Sequence, residues 1–206
     1  MDQQDALRMI AEKAYDVGYS AKLHFSTHDI VEKAPGWIGM ISLIIGVLSL
    51  YLDVLAAKHV SALITVVGIC SLYITYYSET KGQYFQAGTT LTELFDRLKL
   101  LHAQCKSATG FTPALQQELN LITDAFRRAC LTKHILFSGW LAHKKFFWDQ
   151  QVGWIDEYRK FSLLRDKIPF SFYAVIAVIL IAIIAVLWLS SHPEFLVALQ
   201  RICTNE

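Results

Sequence analysis

The chain has 206 residues, of which 54% are apolar and 18% are charged, whereas soluble domains average about 45–50% apolar and about 25% charged residues. The formal net charge is only +1, so no basic excess points to a nucleic-acid partner. The four cysteines are far apart and form no CxxC pair, which argues against a disulfide framework and a structural zinc site. The composition favours a small integral membrane protein over a soluble enzyme.

The first segment, residues 1–36, predicts an N-terminal cytoplasmic helix. The chain opens with acidic and amide residues instead of an apolar stretch, so no cleavable signal peptide is expected. Apolar residues then recur at steps of three and four over 5–33, which is typical of a helix. Pro35-Gly36 is expected to end this helix or to bend it sharply where it enters the membrane.

Two nearly uncharged blocks follow, at 37–52 and 60–77. They contain 16 and 18 residues, close to the about 17–25 residues that a membrane-spanning helix needs. Only residues 53–59 lie between them. We therefore predict a two-span transmembrane hairpin over 37–78.

Residues 79–167 are too polar for a membrane segment, and we predict a cytoplasmic helical region. Leucines and one phenylalanine over 91–101 form one helical face, and Gly110 interrupts the pattern. Thr112 and Pro113 are typical of an N-cap and the first helical residue, and 115–126 carries the next apolar stripe. No strand-like alternation is present.

The third apolar block, 168–189, is the longest at 22 residues. It predicts a third transmembrane helix over 168–190, followed by a short tail over 191–206. The fold class predicted from the sequence is thus an all-α integral membrane protein, with an N-terminal helix, a two-span hairpin, a cytoplasmic helical body and a third C-terminal span.

The distribution of basic residues predicts the orientation. By the positive-inside rule, the N-terminus and residues 79–167 are expected in the cytoplasm, and 53–59 and the tail on the outer side. The expected inner side carries Lys22, Lys33, Lys81, Arg97, Arg159, Lys160, Arg165 and Lys167, and the outer side only Lys58 and Arg201.

No phosphate-binding loop, hydrolase elbow or zinc-protease motif occurs in the sequence, so we predict no catalytic residue, cofactor or metal. The weak candidates for a metal site are His24 and His28, at i and i+4 with Asp29 and Glu32 after them. The alternative, which we favour, is that they lie on the polar face of the helix ahead of the membrane.

Small and polar residues form a stripe on each hairpin helix. Such stripes permit close helix packing, or they line a water path in an oligomer. The acidic residue that ends each stripe is either a functional carboxylate in the membrane or a solvated helix end. The two stripes are Gly39, Ser42, Gly46, Ser49 and Asp53, and Ser61, Thr65, Gly68, Thr75 and Glu79.

The segment 144–148 combines two lysines with three aromatic residues. Stacking on nucleic acid, contact with lipid headgroups and packing within the helical body are the three interpretations. We prefer the last two, and we expect no nucleic-acid partner.

The order of these features resembles the SLATT family, two-transmembrane effector modules of bacterial nucleotide-signalling and conflict systems. The resemblance lies in a helix with Ala14-Tyr15, Gly18-Tyr19, Ala21-Lys22, His24-Phe25 and His28 that leads into PGWIG, a hairpin, and the exit helix YYSETKGQYFQAGTTLTELFDRLK. It covers roughly residues 8–105. A third span and the lack of a fused nucleotide-sensing domain depart from the family pattern.

The resemblance implies an oligomeric, non-enzymatic effector of anti-phage defence, CBASS-like or related, in the bacterial inner membrane. On activation it would form a pore or disrupt the membrane and cause abortive infection. A nucleotide signal or a separate sensor protein would activate it. We expect membrane lipid as a partner and a homo-oligomer joined through the stripes at 91–101 and 115–126. The alternative is a non-conducting scaffold that docks a cytosolic partner, and a lipid-modifying enzyme using His24, His28 and Asp29 is disfavoured.

Overall fold

The computed structural model describes residues 2–108, 110–150, 152–162 and 166–191, and these residues contain helices and turns but no strand. The predicted all-α fold class is confirmed. The chain divides into two compact units, Met1–Phe161 and Ser162–Glu206. The helices are α1 (Gln3–Leu48), α2 (Lys58–Thr75), a 3₁₀ turn (Ser78–Thr80), α3 (Lys81–Ser107), α4 (Pro113–Ala129), α5 (Ser138–Phe147), α6 (Gly153–Arg159) and α7 (Phe170–Ser191).

Helix α1 is continuous over 46 residues and contains Pro35. Of the two alternatives expected at Pro35-Gly36, an end of the helix is therefore wrong, and a sharp bend stays a prediction. A proline inside a helix removes one backbone hydrogen bond and costs about 3 kcal/mol in a soluble helix, but it is tolerated in helices that cross membranes. At the other end of α1, Asp2 caps the helix by accepting a hydrogen bond from the Gln3 backbone N–H at 2.7 Å.

The part of α1 up to Val31, the last buried residue of this helix, forms the central element of the helical body. Helices α3, α5 and α6 all pack against α1. Ile10, Ala14 and Val17 are completely buried. Residues 1–36 therefore belong to the same compact unit as residues 79–161, and one helix runs from the core of the body into the first apolar block.

The leucine stripe of α3 is a helical face, as predicted, but it lies inside the protomer. Leu91 and Leu98 of α3 and Ile122 of α4 are completely buried in one core cluster with α1. Our expectation that these stripes join copies of the chain is therefore wrong for their buried residues. The Thr112 cap is confirmed, since its hydroxyl accepts the Leu115 N–H at 3.4 Å.

The apolar blocks of the hairpin differ from the body in being exposed. Helix α1 and the run Lys58–Ser107 are each long and apolar enough to cross a membrane. Large apolar side chains on α1 and α2, such as Leu43 (68% exposed) and Leu72 (72% exposed), are mostly uncovered by protein. Large exposed apolar surfaces mark contact with lipid or with another protein. The connecting turn spans residues 49–57, because α1 ends at Leu48, four residues earlier than predicted.

In the second unit, α7 spans Phe170–Ser191. Its 22 residues correspond to a length of about 33 Å, enough to cross hydrocarbon, and membrane crossing by α7 stays a prediction. Arg165 and Arg201, which contributed to the orientation argument, and all of the predicted tail after Ser191 lie outside the described residues.

Candidate membrane hairpin and its junction with the helical body

The two hairpin helices enclose a small apolar cavity of about 180 Å³. Ile38, Ile41 and Ser42 of α1 line one side, and Leu63 and Ile64 of α2 line the other. Ser42 therefore faces the partner helix of its own hairpin.

The glycines of the α1 stripe have a different environment. A Cβ atom added to Gly39 or Gly46 would meet no atom within 4 Å. Ser49 donates a hydrogen bond from its hydroxyl to the Gly46 carbonyl at 2.7 Å. The stripe is thus divided, with Ser42 turned to α2 and the two glycines open.

The α2 stripe is also open. An added Cβ atom at Gly68 would again meet nothing within 4 Å. Thr65 donates to the Ser61 carbonyl at 2.9 Å, and Thr75 donates to the Ser71 carbonyl at 2.9 Å. Because these hydroxyls are satisfied by their own helix, they are stable in an apolar environment without a water path.

The two acidic residues that end the stripes lie outside the helices of the hairpin. Asp53 is exposed in the turn over 49–57, and Glu79 is exposed in the 3₁₀ turn that links α2 to α3. Both positions agree with solvated helix ends rather than with carboxylates at membrane depth.

A network of ion pairs joins the body to the hairpin where α1 becomes apolar. Asp29 of α1 bonds Lys33 at 3.1 Å and also pairs with Lys145 of α5. One turn further, Glu32 pairs with Lys81, the first residue of α3, at 2.5 Å. Burial by itself would raise the pKa of Asp29, but the hydrogen bonds and charges of Lys145 and Lys33 outweigh it and leave the pKa below its usual value.

His24 is a structural residue in this fold. Its Nδ1–H donates to the Ser20 carbonyl at 2.7 Å, and its Nε2 accepts the Leu131 backbone N–H at 2.9 Å. Both ring nitrogens are therefore engaged in the neutral form, and burial lowers the pKa of the imidazole. His28 instead lies beside Phe85, with ring centroids 5.3 Å apart. Our interpretation of both histidines as part of a polar helix face is wrong for His24, which is buried in the body at 1% exposure.

Sequence reasoning missed the partners of His24. His134 lies with its ring 4.8 Å from that of His24, and its Nδ1 is 3.0 Å from the Thr27 hydroxyl. The Tyr84 hydroxyl donates to the Lys133 carbonyl at 2.6 Å. Together these groups hold the loop after α4 against α1 and α3, and no signal within the local sequence indicates a contact across about a hundred residues.

The residues of the aromatic–basic segment 144–148 have different environments. Phe146 is completely buried and packs edge-on against Tyr15 at 5.4 Å. Lys145 pairs with Asp29, whereas Trp148 is 70% exposed. Packing within the body is confirmed for Phe146.

The residues that suggested the family resemblance hold α1 against its neighbours. A Cβ atom on Gly18 would lie 2.8 Å from Phe95 of α3, and one on Gly88 would lie 2.9 Å from Phe25 of α1. The Tyr19 hydroxyl shares a hydrogen bond of 2.9 Å with His143 of α5. These positions therefore specify the joint between the entry helix, the exit helix and α5.

A family model described as "SMODS and SLOG-associating 2TM effector domain 6" matches residues 1–176. The chain belongs to the SLATT family. The match extends well beyond the roughly 8–105 region of the resemblance and includes the hairpin and α3 to α6. No match was found among curated proteins, and none among solved structures.

Membership of this family accounts for the exposed apolar surface of the hairpin. A SLATT chain is a two-transmembrane effector module associated with conflict systems, and its two exposed apolar helical runs agree with a membrane protein. The family is described by two transmembrane helices, and its match ends within α7, at residue 176. A third span stays a prediction.

Proposed function

We propose that this SLATT chain is an oligomeric effector of bacterial anti-phage defence, CBASS-like or related, that opens a pore or disrupts the inner membrane when activated. The resulting loss of membrane potential would cause abortive infection. The observation that carries the proposal is a 2TM effector hairpin whose small-residue stripe has, at its glycines, no partner among the residues that the structure describes.

The open glycines support assembly. Gly39, Gly46 and Gly68 leave space next to the helix backbone, and small residues at such positions allow helices to approach closely in lipid. Three helices cannot enclose a wide aqueous path, so conduction requires copies arranged around an axis. A closed cyclic oligomer is the simplest such arrangement.

We propose that the N-terminus lies in the cytoplasm, with Lys22, Lys33 and Lys81 on the inner side. Activation would reach the hairpin through α1, because that single helix belongs to both the core of the body and the first span. The trigger would be a nucleotide signal or a separate sensor protein that acts on the helical body.

The experiment compares two substitutions in α2 that add similar bulk. Gly68→Leu fills the open stripe, whereas Ala62→Leu adds volume at an exposed position outside it. Oligomer size is measured by native mass determination in detergent, and ion flux is measured in vesicles that contain the purified protein. We expect Gly68→Leu to reduce both and Ala62→Leu to reduce neither.

A strictly monomeric parent protein, or parent vesicles without ion flux together with normal membrane potential in cells that express the protein, would contradict the proposal. Loss of flux in both variants would assign the effect to general damage of the hairpin.

The second candidate function is a scaffold that docks a cytosolic partner. Leu100 of α3 is 65% exposed and Leu121 of α4 is 52% exposed. An open cleft of about 490 Å³ between these two helices is lined by both polar and apolar side chains, among them Arg128. This function predicts an assembled protein that conducts nothing and whose cellular effect depends on Leu100 and Leu121.

We also propose that the chain acts without catalysis. His24, which the sequence offered as an acid–base or metal-binding residue, is committed to two structural hydrogen bonds. A purified protein that hydrolysed phospholipid in the vesicle experiment, measured as released fatty acid or headgroup, would contradict this.

A further inference from the structure

We propose that Lys33 and Lys145 form a binding site for the phosphate of an anionic phospholipid at the cytoplasmic membrane surface. The site is a cleft of about 460 Å³ between α1 and α5. It requires only that the hairpin lies in a bilayer, so it stands apart from the proposed pore.

The cleft combines charge at one end with an apolar wall at the other. Lys33 and Lys145 line it together with Asp29, and the remaining wall includes Trp37 and Ile41. Trp37 is 58% exposed and Ile41 is 51% exposed, and both belong to the apolar block of α1. A lipid has this same arrangement, since an anionic phosphate is attached to apolar chains.

Asp29 holds both ammonium groups in the lining of the cleft without using up their donors. Its carboxylate bonds Lys33 and Lys145, but each ammonium carries three N–H donors. The three groups together carry a formal charge of +1, and the charge suits a phosphate rather than a cation or a neutral ligand.

The position of α5 supports a lipid rather than a free phosphate as the occupant. Phe137, Leu141 and Lys145 are spaced by four residues, so they share one face of α5 and the residue before it. That face lines the clefts on α1. The neighbouring face of α5, about 100° further around the helix, buries Ala142 and Phe146. Helix α5 thus presents apolar and basic groups where the apolar span begins, as interfacial helices do.

A second, apolar cleft lies next to the first. It has a volume of about 300 Å³ and is lined by Ile30 of α1, Tyr73 of α2 and Phe137. Phe137 is 58% exposed and has a left-handed backbone with φ 67°, which is rare for a bulky residue. Leu136 beside it is 64% exposed. These side chains continue the exposed apolar surface of the hairpin. Such a surface suits contact with the apolar chains of a lipid.

The experiment reconstitutes the full chain into vesicles that contain equal parts of phosphatidylglycerol and phosphatidylcholine. The lipids that remain bound after gentle detergent extraction are counted by native mass spectrometry. We expect phosphatidylglycerol to be retained over phosphatidylcholine, and each of Lys33→Gln and Lys145→Gln to weaken that preference by about fivefold. Lys99→Gln, an exposed lysine further along α3, is the matched control and should change nothing.

Asp29→Asn distinguishes lipid binding from damage to the junction. The amide keeps the shape of the side chain and raises the charge of the cleft, so retention of phosphatidylglycerol should increase. An equal loss of retention in the Lys99→Gln control, no preference in the parent protein, or decreased retention in Asp29→Asn would overturn the proposal. Displacement of phosphatidylglycerol by inorganic phosphate at equal concentration would also overturn it, since the site would then bind a free anion.

Insertion is checked by flotation of the same protein variants after reconstitution into vesicles of phosphatidylcholine alone. Parent protein that floats, yet retains phosphatidylglycerol no better than phosphatidylcholine, refutes the lipid site and leaves the pore proposal intact. Retention of phosphatidylglycerol without ion flux supports the lipid site and counts against the pore.

Discussion

Gly18 of α1 lies against the ring of Phe95 of α3, so closely that a Cβ atom added to Gly18 would lie 2.8 Å from Phe95 Cδ2. The same atom would lie 2.9 Å from Phe146 Cε2 of α5. Three helices therefore meet at a point where only hydrogen fits. This contact explains why a glycine stands in the middle of the longest helix, where it would otherwise cost stability.

We predict that Gly18→Ala destabilises the body by about 1–3 kcal/mol, because the added methyl group must displace two aromatic rings. Gly82→Ala in α3 is the control, since its Cβ atom would meet nothing within 4 Å and should gain about 0.5–1 kcal/mol from helix propensity. Chemical unfolding in detergent, followed by circular dichroism, measures both. Equal free energies of unfolding for the two variants would show that the close contact at Gly18 does not contribute to the stability of the body.

The buried and exposed leucines of α3 are predicted to respond differently to charge. Leu98→Asp places a carboxylate in a completely buried position and should prevent folding of the body. Leu100→Asp changes a side chain that is 65% exposed and should leave the fold intact, while weakening any contact with a partner or a second copy. Expression, thermal unfolding and native mass distinguish these effects, and a folded Leu98→Asp variant would contradict the core assignment.

Stability is predicted to fall as the pH is lowered from about 6.5 towards 4. Burial and the charge of His24 lower the pKa of His134 to about 4, and burial lowers the pKa of His24, whereas an unfolded histidine titrates near about 6.5. Between these values the unfolded chain binds more protons than the folded chain, so the stabilisation present above pH about 6.5 is progressively lost.

Between pH 7 and pH 5 we expect a loss of about 1–2 kcal/mol from this pair, after allowance for their partial exposure to solvent. His134→Gln should reduce the slope of unfolding free energy against pH, and His59→Gln, at an exposed position, should not. An unchanged slope in His134→Gln would remove His134 as the cause.

Substitution of Ser42 by leucine is predicted to be tolerated. Ser42 lines the apolar cavity of about 180 Å³ between the two hairpin helices, and a leucine can fill part of that space. Oligomer size and ion flux should therefore match those of the parent protein, in contrast to Gly68→Leu. Loss of flux with an unchanged oligomer would instead place Ser42 on the water path.

If α7 crosses the membrane as a third span, the C-terminus lies outside the cytoplasm, and this is what we predict. The family match ends inside α7, so crossing by this helix has to be measured on the chain itself. A reporter fused after residue 206 should give a periplasmic signal, and a reporter fused before residue 1 should give a cytoplasmic one. Cytoplasmic signals at both ends would mean that α7 does not cross.

The sequence by itself determined the all-α class, the apolar blocks and the family, although not that α1 continues through Pro35. Hydropathy, periodicity and the Thr112–Pro113 cap act within one or two turns, so they can be read locally. The family resemblance likewise rests on residues in their order along the chain.

Only the tertiary structure decided which surfaces are buried, and by what. The apolar stripe over 91–101 could pack against α1 or against a second copy of the chain. The sequence pattern is the same in both cases, so it does not distinguish them. The His24 to Leu131 hydrogen bond joins residues 107 apart, and the Asp29 to Lys145 pair joins residues 116 apart. Such contacts depend on how α1, α3 and α5 come together in space, because the energy that selects them comes from packing between distant segments and not from the local chain.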